Sequence, residues 1–93
     1  MRVRFNRGAL ADLDEIFSYI AKDSPSAAAE LVDRLEEVAE LLGHSPYIGQ
    51  KTKRPGLFKH PVDKHLLVYE VLADEVIIHY VRHGARLRPW EGE

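Results

Sequence analysis

The run His65 to Arg86, HLLVYEVLADEVIIHYVRHGAR, constrains this chain more than any other stretch. It reads as two β-strands, 65–72 and 76–82, joined by a tight turn at Ala73-Asp74-Glu75. Val68, Val71, Val76, Ile77, Ile78 and Val81 are β-branched, and Tyr69 and Tyr80 are aromatic. Such side chains suit a pleated surface and lose rotamer freedom in a helix. Alternation puts Leu66, Val68 and Leu72 on one face and Leu67, Tyr69 and Val71 on the other. Both faces are mostly apolar, so the two strands are expected at the centre of a small sheet, with helices on at least one side. The second strand then enters Arg82-His83-Gly84-Ala85-Arg86. A buried strand that ends in a basic cluster is a rigid platform for a site.

The elements before the hairpin follow from periodicity. Residues 2–6 alternate, with Val3 and Phe5 inward and Arg2 and Arg4 outward, as in a half-exposed strand. A helix is predicted from Arg7 or Gly8 to Lys22, with Leu10, Leu13, Ile16, Phe17 and Ile20 as its apolar stripe and Asn6 as its N-cap. Ser24-Pro25 restarts the helix as cap and first residue. The second helix is predicted to run to Leu42, with Gly43 as its left-handed terminator. The short link makes an antiparallel helical hairpin. Residues 43–64 form a long connection in which Leu57 to Val62 adds a strand that Pro61 confines to an edge or a bulge. The expected architecture is β-α-α-β-β-β: an α+β fold with a small, largely antiparallel sheet packed against an N-terminal helical hairpin.

Composition narrows the function. Residues 1–93 make one domain, near the small end of what folds alone. There is no cysteine, hence no disulfide framework and no thiolate ligand or nucleophile. The opening Met-Arg-Val-Arg-Phe is not a secretory leader, and no apolar run approaches the ~18 residues of a membrane span. A cytoplasmic protein with no membrane partner is expected. The net charge of −2 hides an asymmetry. Residues 1–46 hold five Lys/Arg against nine Asp/Glu, and residues 47–93 hold eight against six. Between 50 and 65, Lys51, Lys53, Arg54, Lys59 and Lys64 face only Asp63, which suits either an acidic partner or an ordinary solvated loop.

Candidate chemistry is sparse. His79 and His83 are four apart, a spacing that converges on one ion from a helix but not from a strand, so no metal and no cofactor are expected. Glu36 and Glu37 point apart on a helix. No phosphate-binding glycine loop or nucleophile elbow is present. The hairpin's end is richer. Tyr80, Arg82, His83 and Arg86, joined by Lys59, are the residue types that metal-free RNA cleavage uses as base, acid and phosphate cation. They equally suit the solvation of a sheet end or the binding of a partner's carboxylates, and the residues alone leave the two open.

Five short motifs carry a resemblance. They are A-x-x-D-L-x-E-I-x-x-Y-I-A from Ala9 to Ala21, A-x-x-L-V-D-R-L from Ala28 to Leu35, S-P-x-I-G from Ser45 to Gly49, L-V-Y-E-V from Leu67 to Val71, and V-R-H-G-A-R from Val81 to Arg86. In this order and spacing the chain resembles the ParE branch of the ParE/RelE toxin superfamily, toxins of bacterial type II toxin–antitoxin operons often described as plasmid-stabilisation proteins. The resemblance spans nearly the whole chain and implies the fold derived above.

It also implies one of two activities, poisoning of DNA gyrase (ParE type) or ribosome-dependent, metal-independent mRNA cleavage (RelE type). For the nuclease, Arg86 matches the arginine after the last strand and Lys59 one lysine, with His83 as a third candidate catalytic group. The mid-sheet arginine position holds Leu66, and the tail Leu87-Arg88-Pro89-Trp90-Glu91-Gly92-Glu93 has no catalytic tyrosine. Loss of one group aimed at a transition state costs ~10²–10³ in rate. The resemblance therefore favours a gyrase inhibitor without a catalytic site, with Arg86, Arg88 and Trp90 as target-binding residues. A third reading is a degenerate toxin that only binds its antitoxin. The implied partner is a ParD-like antitoxin of ribbon-helix-helix type, through which alone the toxin would meet operator DNA. Its expected contacts are Phe17, Ile20, Leu31, Leu35 and Val38, with Lys59 and Arg82 as cations.

Overall fold

The structure is a computed structural model, and it describes residues 1–83. The elements run β1 (Arg2–Phe5), α1 (Arg7–Ala21), α2 (Pro25–His44), β2 (Gln50–Lys51), β3 (Leu57–Val62), β4 (His65–Val71) and β5 (Glu75–His83). The strands form one sheet in the order β1-β5-β4-β3-β2. β1 lies parallel to β5, and the other three pairings are antiparallel. The two long strands are central, as their two apolar faces require. On the helix side Ala9, Leu35 and Leu42 meet Val62, Leu67, Tyr69, Val76, Ile78 and Val81 in one core. This is the expected α+β fold.

Both helix starts are chemical. The Asn6 side chain accepts from the Ala9 N–H at 2.8 Å, and Ser24 accepts from the Ala27 N–H at 3.2 Å. Each satisfies a donor that has no partner within its helix. Pro25 opens α2, where its missing N–H costs nothing. Asn6 does more than cap. Its amide Nδ2 lies 3.0 Å from His79 Nδ1, and His79 Nε2 lies 2.9 Å from Glu70 Oε1. Because the Asn6 oxygen is used by Ala9, its amide nitrogen must donate to Nδ1. His79 then carries its proton on Nε2 and donates to Glu70. One chain of polar contacts thus joins the start of α1 to β5 and β4.

Three sequence-level expectations change. Gly43 is not the terminator of α2: the helix continues to His44 and is capped at Ser45. A Cβ on Gly43 would stand 2.8 Å from both the Met1 carbonyl oxygen and Val3 Cγ2, so glycine is there to let β1 approach the helix. Leu10, placed in the inward stripe of α1, is 54% exposed, because only part of the stripe faces the sheet. The hairpin turn is also earlier than expected. β4 ends at Val71 and β5 begins at Glu75, with the Leu72 N–H donating to the Glu75 carbonyl at 2.8 Å.

A β-bulge divides the central hairpin. Tyr69 pairs with Ile78 and Val68 with Tyr80, so His79 has no residue opposite it. Side chains alternate along a strand, and one extra residue reverses the alternation. Val76 and Ile78 face the helices before the bulge, and Val81 does so after it. Tyr80 and Arg82 therefore lie on the outer face, opposite Val68 and Leu66. Pro61 sits where β3 extends past the two residues of β2, on an edge as expected.

Candidate functional site

The end of β5 is fastened before it reaches its basic cluster. β1 pairs with β5 only as far as Ile78. Beyond that point Asp12 of α1 takes over the open edge: Oδ2 accepts from the Val81 N–H at 2.9 Å, and Oδ1 lies 2.6 Å from Arg82 Nη1. The Arg82 guanidinium also stands over the Tyr80 ring, 5.1 Å from its centre. Arg82, expected as a cation for a partner's carboxylates, is engaged within the chain, since Asp12 is the sixth residue of the helix that crosses this edge.

The same end of the sheet carries two distinct surfaces. On the outer face, strand pairing lines up Lys59, Val68 and Tyr80 in one row and Pro61, Leu66 and Arg82 in the next. A shallow groove of about 410 Å³ along β3 is lined by Ile48, Gln50, Lys59, His60, Pro61 and Leu66. On the helix side a groove of about 330 Å³ opens between α1 and the ends of β4 and β5. Its walls are Ile16, Tyr19, Ile20 and Val81, and its rim carries Glu15, Lys64, His65 and His83. Lys59 and Val62 are an odd number of residues apart on β3, hence on opposite faces. Val62 pairs with His65, and His65 with His83, so His83 is on the helix side and Lys59 on the outer one. The structure does not bring these two candidate nuclease groups together. Arg86, Arg88 and Trp90 lie outside the described residues.

The loop 45–49 is held by the sheet. The Tyr69 hydroxyl donates to the Pro46 carbonyl at 2.8 Å and accepts from the Gly49 N–H at 3.1 Å. A Cβ on Gly49 would collide with that hydroxyl. The S-P-x-I-G and L-V-Y-E-V motifs are thus the two halves of one contact. Phe58 stacks on Tyr69 and meets Tyr47 edge-on, closing the loop over the sheet. Burial pushes the Tyr69 phenol above its ordinary range, and the Gly49 N–H opposes this in part.

Comparison with known proteins gives these surfaces a context. Residues 3–88 match the family described as ParE toxin of type II toxin–antitoxin system, parDE. This chain belongs to the ParE toxin family. A Sinorhizobium fredii protein named "Putative toxin Y4kP" is 43% identical over 58 residues, 62% of this chain and 56% of that protein. The chain spans little more than half the length of that relative. Among solved structures, the chromosomal ParDE system of P. aeruginosa matches with a TM-score of 0.77 and 23% identity, covering 89% of this chain and 95% of that one. The toxin–antitoxin complex RelBE2 of Mycobacterium tuberculosis matches at 0.65 and 26%, covering 88% and 95%.

An amphipathic helix docks through exposed apolar residues, so burial decides which of the expected contacts stay open to one. Of the expected contacts, Phe17 is half-exposed, and Ile20 lines the helix-side groove. Leu31 and Val38 pack partly against the core. Leu35 is fully buried in that core with Leu42 and is unavailable to a partner. The structure adds residues the periodicity hid. Leu10 and Tyr19 on α1 and Leu41 on α2 are all exposed, with Tyr19 at 71%. Their signal was present as apolar residues in excess of a single stripe. No helix among the described residues is long and apolar enough to cross a membrane.

Proposed function

We propose that this toxin inhibits DNA gyrase without catalysing a reaction, and that a ParD-like antitoxin of ribbon-helix-helix type neutralises it. The observation that carries the reading is the outer-face row Pro61–Leu66–Arg82. A nuclease needs a cation in mid-sheet for the phosphate's developing charge. Here that position is Leu66, and the arginine beside it is paired with Asp12. Lys59 and His83, the remaining nuclease candidates among the described residues, lie on opposite faces. The likeness to the ParDE system of P. aeruginosa supports the same branch.

The test is induced expression in a bacterial host, with thymidine and methionine incorporation followed in parallel. Early loss of DNA synthesis with intact translation is expected, and purified protein is expected to inhibit gyrase supercoiling. An immediate fall in translation with cleaved messages would replace this reading by the RelE-type one. Soluble protein without any growth effect would leave only antitoxin binding.

A further inference from the structure

We propose that His65 and His83 form a divalent transition-metal site at the open end of the β4–β5 hairpin. The two residues are directly paired across antiparallel strands, so their side chains leave the sheet on the same face and at the same level. Their ring centres are 5.4 Å apart and the rings stand at 81° to one another. Two imidazoles bound to one zinc at about 2.0–2.1 Å and a tetrahedral angle have ring centres about 5.2 Å apart. The ring-centre spacing of this pair is therefore close to that of a two-histidine chelate. β4 and β5 are the two central strands, so the pair stands on rigid ground and little is lost in ordering it.

The surroundings decide the kind of ion and the strength of binding. Both rings border the helix-side groove, with the Glu15 carboxylate on the same rim favouring a cation and the Lys64 ammonium opposing one. Among the described residues no third His, Asp or Glu completes a set around one ion. Imidazole ligands select Zn²⁺, Ni²⁺ or Cu²⁺ over Mg²⁺ or Ca²⁺. Two protein ligands with water in the remaining positions make an open, exchangeable site. An ion needs one nitrogen of each ring and leaves the other for an orienting hydrogen bond. Bound there, it ties the first residue of β4 to the last residue of β5 just before the sequence Gly84-Ala85-Arg86, and it fills one end of the groove. This inference does not depend on the cellular target.

The test is titration of the purified full chain with Zn²⁺ and with Ni²⁺, each alone, followed by calorimetry and by NMR of the histidine rings. Saturable binding of one ion is expected, with Ni²⁺ broadening the His65 and His83 signals first. His65→Asn and His83→Asn are each expected to weaken binding at least about tenfold, while His44→Asn and His60→Asn leave it unchanged. Added metal is expected to raise the melting temperature of the wild type and not of the two site variants, each checked for folding by circular dichroism. Absence of saturable binding, or equal binding by wild type and both site variants, would overturn the proposal and leave the pair as an edge-to-face ring contact.

Discussion

The Tyr69 hydroxyl offers a stability test whose size and pH dependence both follow from geometry. It donates to the Pro46 carbonyl and accepts from the Gly49 N–H, and the residue is fully buried. Tyr69→Phe keeps the ring and its stacking on Phe58 but leaves a carbonyl and an N–H of the loop without this partner. Leaving buried polar groups unsatisfied costs roughly 1–3 kcal/mol. In a domain of this size each kcal/mol is worth about 4–8 °C in melting temperature. The variant should therefore melt at least about 4 °C below the wild type near pH 7, measured by circular dichroism with parallel urea titrations. The alkaline behaviour gives a second check. Burial holds the folded phenol above the ordinary value of 10.0, so the unfolded chain ionises first. The group's contribution is complete below pH 10 and is lost as pH rises from there through the folded value. Phenylalanine has no such term, so the stability gap between wild type and variant should narrow as pH is raised past 10. A gap under a few tenths of a kcal/mol near neutrality, or one that stays constant through the alkaline range, would refute the argument.

Four further outcomes follow from named contacts. Gly43→Ala gains about 1 kcal/mol of helix propensity but forces Cβ against Met1 and Val3, a clash worth about 1–3 kcal/mol, so a net loss is expected in thermal melts. Asn6→Ala removes the α1 cap and the His79 contact together and should cost about 1–2 kcal/mol by urea titration. Asp12→Ala leaves the Val81 N–H and the Arg82 guanidinium without their acceptor; faster hydrogen exchange at Val81 than at Ile78 should report it. Arg86→Ala should lower toxicity in a growth assay while circular dichroism stays unchanged, and full toxicity from the folded variant would remove Arg86 from the mechanism.

The parts of this fold that could be read in advance are those with a repeating signal. Two helices announced themselves by apolar stripes and by Asn6 and Ser24, and the hairpin by β-branched runs. What could not be read depends on distance or on parity. The bulge falls in Val-Ile-Ile-His-Tyr-Val, where apolar residues on both faces erase the alternation that would reveal an extra residue. Gly43 ends an apolar stripe, as a terminator would, and only the neighbouring β1 shows that it is there for space. Leu35 and Phe17 belong to equally apolar stripes, and periodicity does not say which members face the sheet and which face away. The link from Gly49 to Tyr69 spans twenty residues, so its two motifs look independent. For the candidate site, Lys59 and His83 had suitable chemistry, but counting along β3 and across two pairings separates them onto opposite faces.

The bulge at His79 makes this the one place in β5 where the strand already carries a residue more than its partner. Substitutions there would loosen contacts to Asn6 and Glu70. Deletion would do something different in kind, because Ile78 and Tyr80 would then pair in unbroken succession with Tyr69 and Val68. Tyr80 and Arg82 would stay on the outer face, and Val81 and His83 on the helix side. The polar link from Asn6 to Glu70 would be lost while the surface around it kept its pattern. A relative one codon shorter at this site would therefore display the same two faces on a plain, unbulged strand.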